Sequence, residues 1–468
     1  MLTIRSNWPV NLWLKSWDAK SYKKPLHKAF QNLFFIKKNL EVSYPFCNFN
    51  NDLHNCRPER GLCQKSWPKR PVQRKKLCVC LTPGTFAGLF FISIVFNFAF
   101  YSSVLMDQLK VIVDQFSVTG IITDIAPLGS GHIHETYRVA IESDPDGGYV
   151  LQQINTHVFR DPEAVMHNID LVTAHIQKKL TGSGISDTER RVLTPVKLRN
   201  GGLMHRDQSD KVWRCFLYIR NHKTYDRAIN EEQVYEGGKA YGMFLQMLSD
   251  LPASHIRETI PGFHDLDLRL HQFDDACRNG LRMRIDETRR EINLLGERKD
   301  EMRTILELGK SGEIPLRIVH HDTKINNVLF DQNGKGLCVI DLDTVMPGYV
   351  HDDFGDSIRT FTNTGEEDDA DLKRVSINLS FFEAYVFGFC EQARSMLSQV
   401  EKDYLALSAR AMTYMQSLRF LADYLNGDVY YRIHHPGHNL QRTRAQIKLM
   451  LCMEDNYDEM KRIIKNMG

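Results

Sequence analysis

Acidic residues are scarce at the start of this sequence of 468 residues. Residues 1–105 contain 16 Lys and Arg but only 4 Asp and Glu, whereas residues 106–468 contain 44 and 54. The net charge of +2 therefore hides a basic segment joined to an acidic one. Half of the ten cysteines and four of the five tryptophans also lie in the first segment. The composition predicts a boundary near residue 105.

The basic segment lacks helical or strand periodicity, and it ends in a stretch without any charge, residues 86–106. On length alone this stretch is a candidate transmembrane helix. Five Lys and Arg at positions 69–76 precede it, however, and the positive-inside rule would then place everything that follows outside the cytoplasm. The stretch also begins too far into the chain for a signal peptide. We interpret residues 1–105 as a non-native or disordered extension, with Met106 as the natural start and a membrane tail as the alternative.

The cysteines lack the spacing of a metal site. In the basic segment only Cys78 and Cys80 are close together, and no pair of histidines lies at a matching interval. The five cysteines after residue 105 are scattered in apolar settings and odd in number. This pattern indicates reduced thiols and hence a cytoplasmic protein.

Residues 106–222 are predicted to form a small mixed lobe of five strands, with one helix after the third strand. The first two strands flank a turn of Gly129, Ser130 and Gly131. Its glycines leave backbone N–H groups free to face a ligand such as phosphate. The turn alone is weak evidence, because the third glycine of a kinase-type loop is missing and His134 stands in its place.

The predicted helix of this lobe begins with Asp161 as its N-cap and Pro162 at the first helical position. VKL at 196–198 and VWRCFLYI at 212–219 are predicted as the last two strands. Residues 223–468 form the second predicted lobe, which begins with mainly helical patterns. Its charged run at residues 286–309 alternates in sign, which is typical of a solvated helix rather than of a nucleic-acid surface. We therefore expect no nucleic-acid partner.

The stretch HHDTKINNVLF, residues 320–330, places Asp322, Lys324 and Asn327 close together, and Asp341 follows at the end of a strand–turn–strand pattern. Phosphoryl transfer from ATP needs a carboxylate to accept the proton of the attacking hydroxyl. It also needs an amide oxygen and a second carboxylate to hold Mg²⁺, and a cation near the transferred phosphate. Each residue alone could cap a turn or be solvated. Their joint order and spacing favour catalysis.

This stretch resembles the catalytic loop of the aminoglycoside phosphotransferase and choline kinase superfamily. With VIDLDTVMPG, DDFGDSIRT, LQQINTHVFRDPEAV, PGFHDLDLRL and RFLADYLNGDVYYR, it is similar to the N-acetylhexosamine 1-kinases, which phosphorylate the anomeric hydroxyl of GlcNAc and GalNAc. The resemblance covers about residues 115 to 465. It implies an α+β, protein-kinase-like fold with a small β-rich nucleotide lobe, a larger helical lobe and the active site between them.

The resemblance also implies a role for each motif residue. Asp322 becomes the catalytic base, Asn327 and Asp341 become the magnesium ligands, and the turn at 129–131 holds the phosphates of ATP. His320 would brace the catalytic loop.

One position departs from the kinase pattern. The third strand of a kinase carries a lysine for the phosphates, and the corresponding residue here is Gln152, which the N-acetylhexosamine kinases are expected to share. Lys324 is then the expected source of the missing charge. A nucleotide-binding pseudokinase is the alternative, but the intact Asp322, Asn327 and Asp341 argue against it.

Residues 353–355 spell the DFG of protein kinases. Asp353 lies 31 positions after Asp322, too far for a metal ligand when a single strand–turn–strand separates the two, so it is assigned to bracing. Asp343 is predicted to point the same way along the strand as Asp341. It could therefore contact metal or sugar, or cap a turn.

The catalytic loop does not define the acceptor, because relatives act on aminoglycosides, choline, homoserine and sugars. A cationic aminoglycoside calls for a strongly acidic lobe, and the acidity of this chain is mild. The segment 417–450, with Arg419 and Tyr430, suits a neutral sugar, since tyrosine rings offer a flat apolar face. Alternatively, its Arg and Asp side chains pair on a helix surface. A small sugar is the expected partner, a membrane is not, and the oligomeric state is undefined.

Overall fold

A computed structural model of the protein describes residues 106–129 and 133–467. The uncharged stretch up to residue 105, the first five cysteines, and Ser130 and Gly131 of the predicted phosphate turn lie outside the described residues. Residues 106–113 are helical. Among the helices of the described ranges, none is long and apolar enough to cross a membrane.

A five-stranded antiparallel sheet forms the first part of the fold, with the strand order β1-β2-β3-β5-β4. The strands are β1 Ile122–Pro127, β2 Glu135–Ile141, β3 Asp144–Ile154, β4 His205–Arg206 and β5 Val212–Leu217. In β3 the alternation of Tyr149, Leu151 and their neighbours buries one face, as expected for a strand of a packed sheet. The prediction of a strand at 196–198 is wrong. Leu198 there makes only an isolated bridge to Phe116, and the fourth strand lies later in the chain.

Two helices connect β3 to β4, α1 Pro162–Gly182 and the short α2 Thr188–Arg191. The predicted start of α1 is confirmed. The side chain of Asp161 accepts a hydrogen bond of 2.9 Å from the N–H of Ala164, and Pro162 occupies the first turn, where its missing N–H costs nothing.

The rest of the chain is mainly helical. Its helices are α3 Glu231–Leu248, α4 Leu266–Asn279, α5 Arg282–Glu287, α6 Arg289–Gly296, α7 Lys299–Met302, α8 Thr304–Ser311, α9 Val350–Phe361, α10 Leu379–Ala393, α11 Gln399–Asp403, α12 Leu405–Leu425, α13 His438–Asp455 and α14 Tyr457–Met467. Two small antiparallel pairs interrupt them, formed by β6 Arg317–Val319 with β9 Met346–Gly348 and by β7 Val328–Phe330 with β8 Gly336–Val339. The sheet followed by helices is the α+β class predicted from the sequence.

Glycines allow α3 and α10 to pack in close backbone contact. A Cβ on Gly238 would lie 2.5 Å from the carbonyl oxygen of Tyr385, and a Cβ on Gly388 would overlap the carbonyl oxygen of Tyr235. Small residues on both helices therefore set the distance between them. The helices enclose the largest apolar cluster, in which Phe354 of α9 is fully buried.

We expect Gly388→Ala to lower the free energy of unfolding by about 1–3 kcal/mol, because the added methyl forces the two helices apart. Gly296→Ala is the matched control, since a Cβ at that helical glycine meets nothing within 4 Å. It should be neutral or stabilise the protein by up to about 1 kcal/mol. Denaturant unfolding measures both. Equal effects of the two substitutions would contradict the close helix contact.

Candidate active site

The loop between β6 and β7 brings three of the predicted site residues together. Lys324 Nζ lies 3.0 Å from Asp322 Oδ1, and Asn327 Nδ2 donates to Asp322 Oδ2 at 3.0 Å. Asn327 also donates to the backbone oxygen of Asp322 at 2.9 Å, which closes the loop on itself. The carboxylate of Asp322 is thus held by a cation on one oxygen and an amide on the other, and its side chain remains partly exposed.

The ammonium group of Lys324 is stabilised in its charged form. Burial lowers the pKa of Lys324, but the charge and hydrogen bond of Asp322 raise it by more, with help from Asp356 and Asp341. The net pKa is above the ordinary value for lysine. The site therefore contains a fixed positive charge beside the carboxylate.

Asp341 lies beside this loop, although it comes later in the chain. The N–H of Ile340 donates to the backbone oxygen of Asn327 at 2.9 Å, so the end of β8 is tied to the start of β7. Asp341 then takes a left-handed conformation with φ of 62° and an exposed side chain. Desolvation by the surrounding protein and the negative charges of Asp343 and Asp322 raise the pKa of Asp341 to about 6. Asn327 and Asp341 can offer oxygen donors here and Asp322 adds negative charge beside them, which suits a divalent cation such as Mg²⁺.

The loop is braced from behind by Asp353, at the start of α9. Its carboxylate accepts the N–H groups of His320 at 2.8 Å and of His321 at 2.7 Å, and its backbone oxygen accepts the hydroxyl of Thr323 at 2.7 Å. Burial raises the pKa of Asp353 to about 7, against the opposing effect of these donors. The side chain is 1% exposed, so it has no access to a ligand in the cleft.

His320 links the loop of Asp322 to the segment of Asp341. Its Nε2–H donates to the backbone oxygen of Ile340 at 2.9 Å, and its Nδ1 accepts the N–H of Asp322 at 3.3 Å. The hydroxyl of Thr344 donates to the backbone oxygen of His320 at 2.7 Å. The ring is fully buried, so these contacts fix both segments relative to each other.

Asp343 does not point into the site in the way expected for a metal or sugar ligand. It lies in a 3₁₀ turn, Leu342–Thr344, rather than in a strand, and its side chain is 2% exposed. Both oxygens are held by the guanidinium of Arg214 on β5, with a hydrogen bond of 2.8 Å from Nη2 to Oδ2. The Nε2 of His134 contacts the same carboxylate. The local turn and these long-range partners explain the difference from the strand-based prediction.

Gln152 contacts the guanidinium of Arg214 that holds Asp343. Its Oε1 accepts a hydrogen bond of 3.0 Å from Arg214 Nε, and its Nε2 donates to the hydroxyl of Thr136 at 3.0 Å. The amide thus holds the arginine that joins the sheet to the Asp343 turn. Gly129, the described glycine of the predicted phosphate turn, has φ of 76° and open space where a Cβ would be.

Arg419 and Tyr430 have different surroundings. The guanidinium of Arg419 lies over the rings of Phe263 and Tyr431, with its Cζ 5.2 and 5.7 Å from their centroids, and it donates to Gln416 at 2.7 Å. The side chain of Tyr430 is 69% exposed. The neighbouring Tyr431, which was not among the predicted site residues, has a buried hydroxyl without a hydrogen-bond partner among the described residues. Its position next to Tyr430 was the only signal for it in the sequence.

Comparison with known proteins now identifies the family. Residues 124–384 match the model of the phosphotransferase enzyme family (APH). The chain belongs to this family. It is therefore an enzyme that transfers phosphate to a hydroxyl acceptor, and the predicted superfamily is confirmed.

Solved kinase structures show the same fold. A microcompartment-associated aminopropanol kinase is similar to this phosphotransferase with a TM-score of 0.51 and 17% identity, over 75% of this chain and 96% of the other. An aminoglycoside phosphotransferase from Alicyclobacillus acidocaldarius gives 0.53 and 11%, over 76% and 96%. The predicted kinase-like α+β fold is confirmed. At these identities the likeness does not extend to the acceptor.

We expect Arg214→Ala to lower the free energy of unfolding by about 3–5 kcal/mol, because it leaves the buried Asp343 carboxylate without its main partner. Arg206→Ala is the matched control, since it breaks an exposed pair with Asp210 and should cost less than about 1 kcal/mol. Denaturant unfolding measures both variants.

The effect of Arg214→Ala should also depend on pH. Burial raises the pKa of Asp343, but the charge of Arg214 and the hydrogen bonds of His134 and Arg214 lower it by more, to below its ordinary value of 3.8. The stabilisation is therefore present above that pH and lost as the pH falls further. A loss of stability that is equal in the two variants, or unchanged in acid, would contradict the buried pair.

Proposed function

We propose that this phosphotransferase uses ATP and Mg²⁺ to phosphorylate the anomeric hydroxyl of an N-acetylhexosamine, GlcNAc or GalNAc, which gives the sugar 1-phosphate. The observation that supports the reaction best is the meeting of Asp322, Lys324, Asn327 and Asp341 at one place in the fold. These residues supply the base, the cation and the oxygen ligands that phosphoryl transfer requires. A pseudokinase would have no need to keep all four together.

Asp322 is proposed to accept the proton of the acceptor hydroxyl. Asn327 and Lys324 fix the two oxygens of its carboxylate, so the group needs little reorganisation when the hydroxyl arrives. Asn327 and Asp341 would hold magnesium, which when bound neutralises charge on the phosphates. Lys324 adds a positive charge on the same side.

We place the nucleotide against the lobe of residues 106–222, with the turn at 129–131 and Gln152 as its contacts. Gln152 is a neutral amide, and the nearby Arg214 is already paired with Asp343. The cation near the transferred phosphate must therefore come from elsewhere. Lys324 meets this need, because its pKa is raised and its side chain is partly exposed.

We place the acceptor against the lobe of residues 223–468. A series of contacts leads from the catalytic loop to Arg419. His321 Nδ1 is 3.0 Å from His264 Nδ1, the His264 ring stacks on Phe263 at 4.5 Å, and Arg419 lies over Phe263. Aromatic faces suit a sugar ring and a guanidinium suits its hydroxyl or carbonyl oxygens.

The charges along this path favour a neutral acceptor. Burial has the largest effect in lowering the pKa of the His264 ring, and the charges of His321, Arg419 and Arg269 nearby lower it further. Two guanidinium groups disfavour a cationic substrate such as an aminoglycoside or choline. Tyr430, with its exposed ring, is proposed to contact the sugar from the rim of this surface, and the paired Asp343 is left without a substrate role.

We expect Asp322→Asn to lower turnover by about 10²–10⁴-fold while leaving the affinity for ADP nearly unchanged, because a base acts on the acceptor and not on the nucleotide. Asp331→Asn is the matched control. It lies in the nearby β7–β8 hairpin, where its carboxylate only accepts turn N–H groups. Steady-state rates and nucleotide titration compare the variants. Equal activity of Asp322→Asn and wild type would remove the proposed base.

The acceptor is tested by phosphorus NMR of the product formed with ATP, Mg²⁺ and GlcNAc or GalNAc. The anomeric hydroxyl is the most acidic one on a reducing sugar, so we expect a 1-phosphate and no reaction with the 1-O-methyl glycoside. Undiminished transfer to the methyl glycoside would show that another oxygen is the acceptor. Transfer only to an aminoglycoside, choline or homoserine would support another small-molecule kinase instead.

A further inference from the structure

A cavity of about 200 Å³ lies behind the catalytic loop, and Asp322 is not among its lining residues. His264, His321 and Asp352 meet in its wall, together with the edge of β9 and the apolar side chains of α12. His321 and His264 begin the series of contacts that leads to the proposed acceptor surface, but none of the three side chains is assigned a proton or a phosphate contact in the proposed transfer.

The three side chains present ligand atoms to one point. His264 Nδ1 and His321 Nδ1 are 3.0 Å apart, and one atom from each of the three residues lies within 4.8 Å of the others. Asp352 uses Oδ2 to accept the N–H of Tyr349 at 2.9 Å, and among the described residues no hydrogen bond reaches its Oδ1. A carboxylate oxygen of Asp352 lies within 4.8 Å of a nitrogen of each imidazole.

We propose that His264, His321 and Asp352 form a binding site for a divalent transition-metal ion of the zinc class, separate from the magnesium ligands of the catalytic cleft. Two histidines and one carboxylate are a common ligand set for such ions, with a fourth position left for water. The cavity provides the room for this fourth ligand. Mg²⁺ prefers oxygen ligands and would not compete well here.

The two imidazoles need only a small adjustment, whereas the Asp352 carboxylate, whose ligand oxygen lies within 4.8 Å of their nitrogens, must also move toward the ion. Zn–N bonds of about 2.0–2.1 Å in a tetrahedral site place two nitrogen ligands about 3.3 Å apart. The observed 3.0 Å must therefore open by a few tenths of an ångström. His321 Nε2 lies 3.4 Å from the carbonyl oxygen of Pro347, an acceptor that leaves the proton on Nε2 and the lone pair on Nδ1.

Three carboxylates lie in the wall of the cavity. Glu258 and Asp265 line it together with Asp352, and their negative charges oppose the positive charges of Arg269 and Arg419 near His264. A bound ion would fix His321, which has φ of 64° and directly precedes Asp322. Without an ion, the two imidazoles share a single N–H···N hydrogen bond.

The test is the visible absorption of Co²⁺ added to the full-length protein in excess Mg²⁺, which fills oxygen-only sites. We expect one bound Co²⁺ with the absorption bands of a nitrogen-containing, four- or five-coordinate site. His264→Gln should weaken binding by at least about 100-fold, because it removes a ligand. His271→Gln, at an exposed histidine of α4, and Asp341→Asn, at the catalytic cleft, should retain it.

A second variant distinguishes the loss of a ligand from misfolding of His264→Gln. Asp352→Asn keeps an amide oxygen for the N–H of Tyr349 but removes the charge, and we expect about 10-fold weaker binding or more in a folded protein. Absence of Co²⁺ binding in wild type would overturn the proposal. So would bands that persist in both variants, or a thiolate charge-transfer band that assigns the ion to cysteine.

Discussion

The active site depends on the hydrogen bonds that the buried carboxylate of Asp353 accepts. This carboxylate receives two successive backbone N–H groups immediately before Asp322, so it fixes the direction in which the chain enters the catalytic loop. Two donors to one carboxylate can be satisfied only in a narrow range of backbone positions. A small movement of α9 would therefore displace Asp322 itself.

The core of the helical part holds α9 in place. Phe354, next to Asp353, is fully buried among the rings of α10, and a Cβ on Gly355 would overlap the backbone of α12 at Ser408. The segment that spells the protein-kinase metal motif is thus a packing element here. Through Asp353, the packing of α9 against α10 and α12 fixes the position of the loop that carries the proposed base.

A buried ion pair joins the sheet to the segment that follows Asp341. Arg214 of β5 reaches the turn after Asp341 and holds Asp343, while Gln152 orients the guanidinium. Removing such a pair's partner leaves an uncompensated charge, so the contact specifies how the two segments meet. The position where a kinase carries a phosphate-binding lysine thus also orients Arg214, and we propose Lys324 as the cation of the site.

Residues that are close in the sequence could be predicted to lie together in the structure. The order of Asp322, Lys324 and Asn327 within one loop indicated that they would lie together, and the strand–turn–strand pattern indicated that Asp341 would return to them; the structure brings all four together. The N-cap at Asp161 could likewise be predicted, because it involves only neighbouring residues.

Contacts between residues that are far apart in the sequence could not be predicted from it. Arg214 and Asp343 are 129 positions apart, and no spacing rule connects them. The surroundings of the neighbouring Tyr430 and Tyr431 also depend on distant packing, because the ring of Tyr430 is exposed whereas the guanidinium of Arg419 lies over that of Tyr431. The His264–His321 contact, across 57 positions, was equally hidden.

The most direct test of this account is the affinity of the protein for Mn²⁺–ATP in Asp341→Asn and Asp353→Asn, measured by the paramagnetic signal of the bound ion. Asp341→Asn should weaken metal–nucleotide binding by about 10-fold or more, because it removes a proposed ligand. Asp353→Asn should keep the affinity within a few-fold, since the side chain is buried and serves the loop, while stability and turnover fall. The opposite result, with metal binding lost only in Asp353→Asn, would contradict the assignment of the two carboxylates.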